Sequence, residues 1–194
     1  GCRKYPLWSK FMPEFQAMDL SRQILEGTPY PIKALYGAGM NAKMFPDTQK
    51  MYWALKSLDF FVDTDLFLTD TAKYADIVLP ACTSYERGEF KAYMGGYATF
   101  TKPVIKPLYE SKSDVQILKE LADVMDLDDP LLREGYEAEI NYMIRDLSVT
   151  IDDMKASDLP IHVPEARDVV PGEFTKNGMN TASGKFEFYS NYIA

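Results

Sequence analysis

The stretch PIKALYGAGMNAKMFPDTQKMYWALKSLDFFVDTDLFLTDTAKYADIVLP, residues 31–80, decides the fold. Ile32 to Tyr36 is a short apolar run that ends at Gly37-Ala38-Gly39, the pattern of a buried strand followed by a glycine turn. From Pro46 the period changes. Met51, Leu55 and Leu58 fall at helical spacing, with Pro46 and Asp47 as the start signal. Phe60-Phe61-Val62 predicts a second strand, ending in an acidic, threonine-rich loop from Asp63 to Thr71. A short helix near Ala72 to Ala75 leads into Asp76-Ile77-Val78-Leu79-Pro80, a third strand that Pro80 terminates. Strand, helix, strand, short helix, strand at this spacing predicts an α/β fold: a Rossmann-like three-layer domain with a mostly parallel sheet.

Outward from this centre the signals are weaker. Residues 1–30 read as an irregular, partly helical lead-in punctuated by Pro6, Pro13 and Pro29, with one helix from Asp19 to Glu26 capped by Asp19 and stopped at Gly27. Tyr97 to Val104 reads as an extended segment at the margin of the sheet. Ser113 to Met125 is a strong helix that presents Val115, Leu118, Ala122 and Met125 on one face. Helical signals recur at Tyr136, Ile140, Met143 and Leu147 and from Ile151 to Ala156. After Pro160 the composition turns to loop until Lys185 to Tyr189 alternates like a strand. The expected organisation is a lead-in (1–30), an α/β core (31–125), a helical extension (126–160), and a linker with the first strand toward a further C-terminal domain (161–194). A start at Gly-Cys-Arg and a stop inside the amphipathic run SGKFEFYSNYIA read as an excised piece of a longer protein.

Composition removes several classes of function. With 194 residues and a formal charge of 21 − 29 = −8, the chain carries no Lys/Arg cluster that could track a phosphate backbone or an anionic membrane surface. Nucleic acid is therefore not an expected partner. At 46% hydrophobic and 26% charged the chain has the balance of a soluble globular protein, and it lacks an apolar run of the roughly 18 residues a membrane span needs. Direct membrane insertion is not expected, and composition leaves the compartment open, cytoplasm and periplasm alike. Two cysteines, Cys2 and Cys82, and one histidine, His162, cannot build a disulfide framework, a Cys-x-x-Cys site, a four-cysteine cluster or a Ser-His-Asp triad. Redox chemistry would need a carrier other than these side chains.

Candidate site residues gather at the ends of the strands. Gly37-Ala38-Gly39-Met40-Asn41-Ala42 follows a strand and matches G-x-G-x-x-A. It could contact a nucleotide phosphate, serve ordinary NAD binding or be a structural turn; Pro46 argues against NAD, because it would interrupt a helix that begins at the second glycine. Asp65 follows the second strand, where its carboxylate could accept from a ribose hydroxyl. It could also accept side by side from the N1–H and amino group of a guanine, or be a solvated loop carboxylate like Asp63. Arg87 could bring a cation to the same edge or pair with Glu86 or Glu89. Asp114 and Ser113 open the later helix, with Ser113 and Gln116 spaced as a capping box. Cys82 reads as a buried small residue and His162 as solvent-facing.

These residues carry a family resemblance. ALYGAGMNAKMFPDT, LDFFVDTDLFLTDTAKYADIVLPACTSYERGEF and SKSDVQILKELA, in that order, resemble successive blocks of the molybdopterin oxidoreductases, the family of formate dehydrogenases, periplasmic nitrate reductases, dimethyl sulfoxide reductase and polysulfide or thiosulfate reductases. TASGKFEFYS resembles the segment leading into that family's C-terminal barrel-like domain. The resemblance implies a site for molybdopterin guanine dinucleotide carrying molybdenum or tungsten, in a catalytic subunit whose other domains complete the active site. It implies Gly39, Asn41, Thr64, Asp65, Thr69, Arg87 and Asp114 as cofactor-binding residues. No catalytic residue or protein metal ligand is expected in this piece, which by itself would be inactive. An iron–sulfur cluster would belong to the N-terminal part, and an iron–sulfur electron-transfer subunit is an implied partner, in keeping with anaerobic respiration. Thr64 departs from the Gln or Ser of many members. The stretch EFKAYMGGYATFTKPVIKPLYES lacks the Asn- and Arg-rich sequence of formate and nitrate enzymes and looks more like sulfur-compound reductases and dehydroxylase- or hydratase-like members.

Overall fold

The structure, a computed structural model, describes residues 17–93, 95–165 and 170–189. The lead-in up to residue 16, with Pro6, Pro13 and Cys2, and the last five residues of the SGKFEFYSNYIA run lie outside the described residues. The chain divides into two compact units, each made from two stretches of sequence: residues 17–89 with 102–139, and residues 90–101 with 140–189.

The first unit is built on a three-stranded parallel sheet, β1 (Ala34–Ala38), β2 (Phe60–Asp65) and β3 (Ile77–Pro80), in spatial order β1-β2-β3. Helix α1 (Leu20–Glu26) ends at Gly27, whose φ of +63° is the left-handed stop the sequence predicts. Asp19 precedes it but makes no capping bond; its carboxylate is taken by Arg22 instead. Helix α2 (Thr48–Lys56) starts where Asp47 accepts from the Lys50 N–H, and it buries Met51, Ala54 and Leu55. These side chains meet Leu20, Ile24, Ala42 and Phe61 in one core. Full burial of residues as large as Met51, Leu55 and Phe61 contributes about 1.5–3 kcal/mol each. The second crossover, between β2 and β3, contains only a 3₁₀ turn, Ala72–Tyr74.

Two strand boundaries differ from expectation for one reason. β1 runs on through Gly37 and Ala38, and β2 runs three residues past Val62, because Gly37 pairs with Asp63 and Ala38 with Thr64 in the ladder. An acidic side chain at position 63 does not end the strand, since Gly37 leaves room for it. A Cβ at Gly37 would lie 2.9 Å from Asp63 Oδ1 and 3.3 Å from the Phe61 ring. Helix α3 (Asp114–Val124) is capped by Ser113, which accepts from the Gln116 N–H, while the Gln116 side chain turns to Glu120 rather than closing a reciprocal box. It buries Ile117 and Ala122; Leu118 and Met125, expected on the inner face, are exposed. A short helix, α4 (Pro130–Glu134), follows it with Asp129 as its cap.

The second unit holds a separate sheet, β4 (Glu89–Tyr93), β5 (Tyr97–Thr101) and β6 (Ile161–His162), in order β4-β5-β6. Tyr97 pairs antiparallel with His162 and Ala98 with Ile161. The extended segment expected beside the parallel sheet is thus a strand of a different one. Its core comprises Ala98, Phe100, Ile140, Ile144, Met154 and Val163, drawn partly from α5 (Tyr136–Met143) and α6 (Ile151–Ala156). A last short helix, α7 (Glu173–Asn177), lies in the stretch read as loop. Lys185 to Tyr189 forms no strand, a correction to its alternating pattern. A strand needs a partner ladder, and Phe186 and Phe188 instead stack edge to face at 4.9 Å with both rings exposed.

One buried carboxylate fastens the loop after β3. Glu86 accepts from the Thr83 N–H and hydroxyl, the Leu108 N–H and the Ser111 hydroxyl, at 2.8, 2.7, 2.6 and 3.0 Å. The Thr83 hydroxyl, then the Leu108 and Thr83 N–H groups, hold its pKa down at about 2, against an ordinary 4.5. A depressed carboxylate pKa stabilises the fold above pH 4.5 and ceases to do so as pH falls through 2. Glu86→Gln is therefore expected to lower the urea midpoint at pH 7, with the gap to the parent chain closing between pH 4.5 and pH 2. A gap unchanged at pH 2 would show that ionisation of Glu86 is not the source of the stability.

Candidate functional site

β1 and β2 are parallel, so the loops that follow Ala38 and Asp65 emerge side by side at the edge where open α/β sheets hold ligands. Two hydrogen bonds tie these loops together. Gly39 N–H donates to the Thr64 carbonyl at 2.8 Å, and Ala42 N–H donates to the buried Thr71 hydroxyl at 2.9 Å. Gly39 takes a φ of +58°, which only glycine adopts readily, and a Cβ there would meet nothing. Between the loops lies a cavity of about 580 Å³, lined by Gly39, Asn41, Lys43, Asp65, Thr69 and Thr71 together with Met40, Leu68 and Asp70.

Local geometry sets what each wall offers. Asn41 uses its side-chain oxygen to cap the 3₁₀ turn Ala42–Met44, accepting from Lys43 N–H at 3.0 Å, so its amide nitrogen is the group left to donate. Asp65 accepts from Leu66 N–H through Oδ1 at 2.7 Å and from the Thr69 hydroxyl through Oδ2 at a long 3.4 Å. Each carboxylate oxygen accepts two bonds, so both retain capacity for a donor pair. Also on the wall, Asp70 receives Lys43 Nζ at 2.6 Å, and it receives Lys73 Nζ at 2.9 Å. Lys43 and then Lys73 hold the Asp70 pKa down at about 2.

The structure therefore brings together four of the residues expected from sequence, Gly39, Asn41, Asp65 and Thr69. Thr64 stands behind them, buried, with its hydroxyl bonded to Tyr36 OH at 2.8 Å and its carbonyl receiving Gly39. Arg87 and Asp114 are brought to each other instead of to this cavity. Arg87 Nη1 donates to Asp114 at 2.9 Å and Nε to Glu89 at 2.8 Å. Lys43, Asp70 and Thr71 were not anticipated. The signal for Lys43 was available, since it is the only cation between the glycine turn and Lys50. α2 begins at Thr48, well after Gly39, so the glycine turn does not open directly onto a helix N-terminus as an ordinary NAD fingerprint does. Cys82 is buried, His162 is exposed against the edge of Tyr97, and among the described residues no cluster of His, Cys, Asp and Glu could hold a metal ion.

Asp63 lies beneath the site on the same face of β2 as Asp65. It is not a solvated loop carboxylate: it is fully buried, and among the described residues neither of its oxygens has a hydrogen-bond partner. Loss of solvation, followed by the charge of Asp65, pushes its pKa up to about 6.

Comparison with known proteins adds a lineage. The family model described as molybdopterin oxidoreductase matches residues 16–124. Probable oxidoreductase YoaE of Bacillus subtilis is 36% identical over 91% of this chain and 26% of its own length. The dopamine dehydroxylase of Eggerthella lenta is 28% identical over the whole chain and 19% of its own length. Among solved structures, the acetylene hydratase of Pelobacter acetylenicus superimposes with a TM-score of 0.70 at 26% identity, covering 90% of this chain and 24% of that one. The chain spans about a quarter of the length of relatives such as YoaE.

The state of Asp63 has a measurable consequence. Below pH 3.8 its carboxyl is neutral in folded and unfolded chains alike; above pH 6 the folded state bears the full cost of an ionised, unsolvated group. At about 1.4 kcal/mol per pKa unit that cost is about 3 kcal/mol. Asp63→Asn is expected to be more stable than the parent chain by this order at pH 8, with the gain fading toward pH 4 in urea unfolding. A gain that does not change with pH would mean that Asp63 is not ionising in the fold.

Proposed function

The chain belongs to the molybdopterin oxidoreductase family, and on that premise we propose that its first unit holds the guanine dinucleotide portion of a molybdenum or tungsten pterin cofactor within a larger catalytic subunit. The Rossmann-like reading of the sheet belongs to this proposal. The observation that carries it is the Asp65 carboxylate, with spare acceptor capacity, on the wall of a cavity at the C-terminal edge of parallel strands.

The donor set suits such a ligand. A guanine presents N1–H and an amino group as adjacent donors, which one carboxylate accepts together and which adenine does not offer. The Asn41 amide and the Thr69 hydroxyl also line this space, and a cavity of about 580 Å³ lies within the usual range for small-molecule sites. Gly39 keeps side-chain bulk away from the turn. When bound, the metal–pterin end of the cofactor supplies the two-electron or oxygen-atom chemistry. The residues of this chain bind and orient the nucleotide end, with the Asp65 carboxylate as its acceptor. Thr64 fixes the floor through Tyr36 and Gly39, and Arg87 with Asp114 braces the start of α3 rather than touching the nucleotide. The other domains of the same subunit and an electron-transfer subunit are the partners this reading requires. On this reading the stretch after Gly88, EFKAYMGGYATFTKPVIKPLYES, makes the parent a dehydroxylase-, hydratase- or sulfur-compound-type member.

The test is guanine and metal content. Full-length protein carrying this chain, purified without oxygen, is expected to release guanine nucleotide and molybdenum or tungsten on acid treatment. Asp65→Ala removes charge-assisted bonds worth about 1.5–3 kcal/mol, so retention of both should fall at least tenfold. Guanine content unchanged in the variant would overturn the assignment of Asp65.

A further inference from the structure

Two ionic clusters lie near the strand ends. At one, Arg87 binds two carboxylates, Glu89 and Asp114. At the other, two cations, Lys43 and Lys73, share the carboxylate of Asp70. The second lies on the wall of the cavity, through Lys43 and Asp70, and there the cations outnumber the carboxylate they share.

We propose that Lys43 is the phosphate-recognising cation of this site and that Asp70 is its latch, surrendering Lys43 to the ligand's pyrophosphate while keeping Lys73. This rests on the guanine dinucleotide reading above and assigns a role to a residue that reading left without one. Three features support it. Lys43 and Asp70 are 62% and 51% exposed, and an ion pair that open to water holds its partners weakly, so exchange is cheap. Asp70 does not become unpaired when Lys43 leaves, because Lys73 remains on its other oxygen. Lys43 is also placed by its backbone: its N–H donates to Asn41, so the amide donor and the cation share one turn on the cavity wall that Asp65 also lines. The cavity thus offers an acceptor for a base and a cation for phosphates. Asp70 screens that cation when no ligand is present, and discriminates against ligands with too little negative charge to displace it.

The experiment uses full-length protein in cofactor-free form, titrated with GDP and with guanosine, which differ only in the phosphates. In the parent protein GDP is expected to bind more tightly than guanosine, with an advantage that shrinks as KCl is raised. Lys43→Met should weaken GDP binding about tenfold, the loss of one charge-assisted bond, and leave guanosine unchanged, whereas Lys43→Arg should stay within about twofold for both. Asp70→Asn should tighten GDP severalfold without affecting guanosine. Equal loss of both probes in Lys43→Met would reduce Lys43 to a structural pin and overturn the proposal. So would unchanged GDP binding in that variant, and weaker GDP binding in Asp70→Asn would overturn the latch. Asp65→Ala separates this outcome from failure of the underlying reading. Loss of both probes there, with a phosphate-specific loss in Lys43→Met, supports both. Absence of binding of either probe to the parent protein would overturn the nucleotide site itself.

Discussion

The parallel pairing of β1 with β2 holds the candidate site in being. Its register, Ala34 opposite Phe60 through Ala38 opposite Thr64, ends in the bond from Gly39 to the Thr64 carbonyl. Side chains alternate faces with a period of two, so a slip of one residue would turn Phe61, Asp63 and Asp65 to the wrong side of the sheet relative to β1. It would also break the Ala42–Thr71 tie that closes the loops on each other. The cavity is therefore a property of strand register before it is a property of the residues that line it.

That register has a cost in Asp63. A carboxylate without solvent or a hydrogen-bond partner is among the more expensive things a core can contain, and the fold accommodates it only by removing the side chain at Gly37 across the ladder. Asp63 and Asp65 share a face of one strand, so each ionised carboxylate raises the free energy of the other. The face on which the site is built is electrostatically tense, and Lys43 and Lys73 bind Asp70 rather than Asp63, whose oxygens have no hydrogen-bond partner among the described residues. Arg87, the cation that sequence pointed to, ties the loop after β3 to the first turn of α3 through Asp114 and also binds Glu89.

Much of this was legible in the residues because it is local. The apolar runs at Leu35-Tyr36 and Phe60-Phe61, the helical spacing of Met51 and Leu55, Gly27 as a stop and Ser113 as a cap each depend on a few neighbours along the chain. Asp65 was legible because it lies at the end of a strand, where a parallel sheet gathers positions at one edge, and Asn41 was legible through the family resemblance. What was hidden depends on distant partners. Lys43 acquires its meaning from Asp70, on the loop after the next strand. Asp63 reads as a strand end until Gly37 is set opposite it. Ile161 and His162 form a strand only because Tyr97 and Ala98 are there to pair with, and Lys185 to Tyr189, with the better pattern, forms none for want of such a partner. The inner face of α3 followed Ile117 and Ala122 rather than the periodicity of Leu118 and Met125, since both faces of that helix carry apolar residues.

The interleaving of the two units bears on how the chain can be divided. The backbone passes from one unit to the other three times, after residues 89, 101 and 139, so no single cut yields both units whole. The stretch 102–139 completes the first unit only after β5 of the second has been synthesised, and β5 waits for Ile161 and His162 before its sheet is complete. Synthesis from the N-terminus therefore cannot finish one unit and then begin the next, as it can for domains strung on a linker. Residues 90–101 are a short stretch of sequence, but they carry Ala98 and Phe100 into the second core, so each core draws on two stretches that no cut by position keeps together.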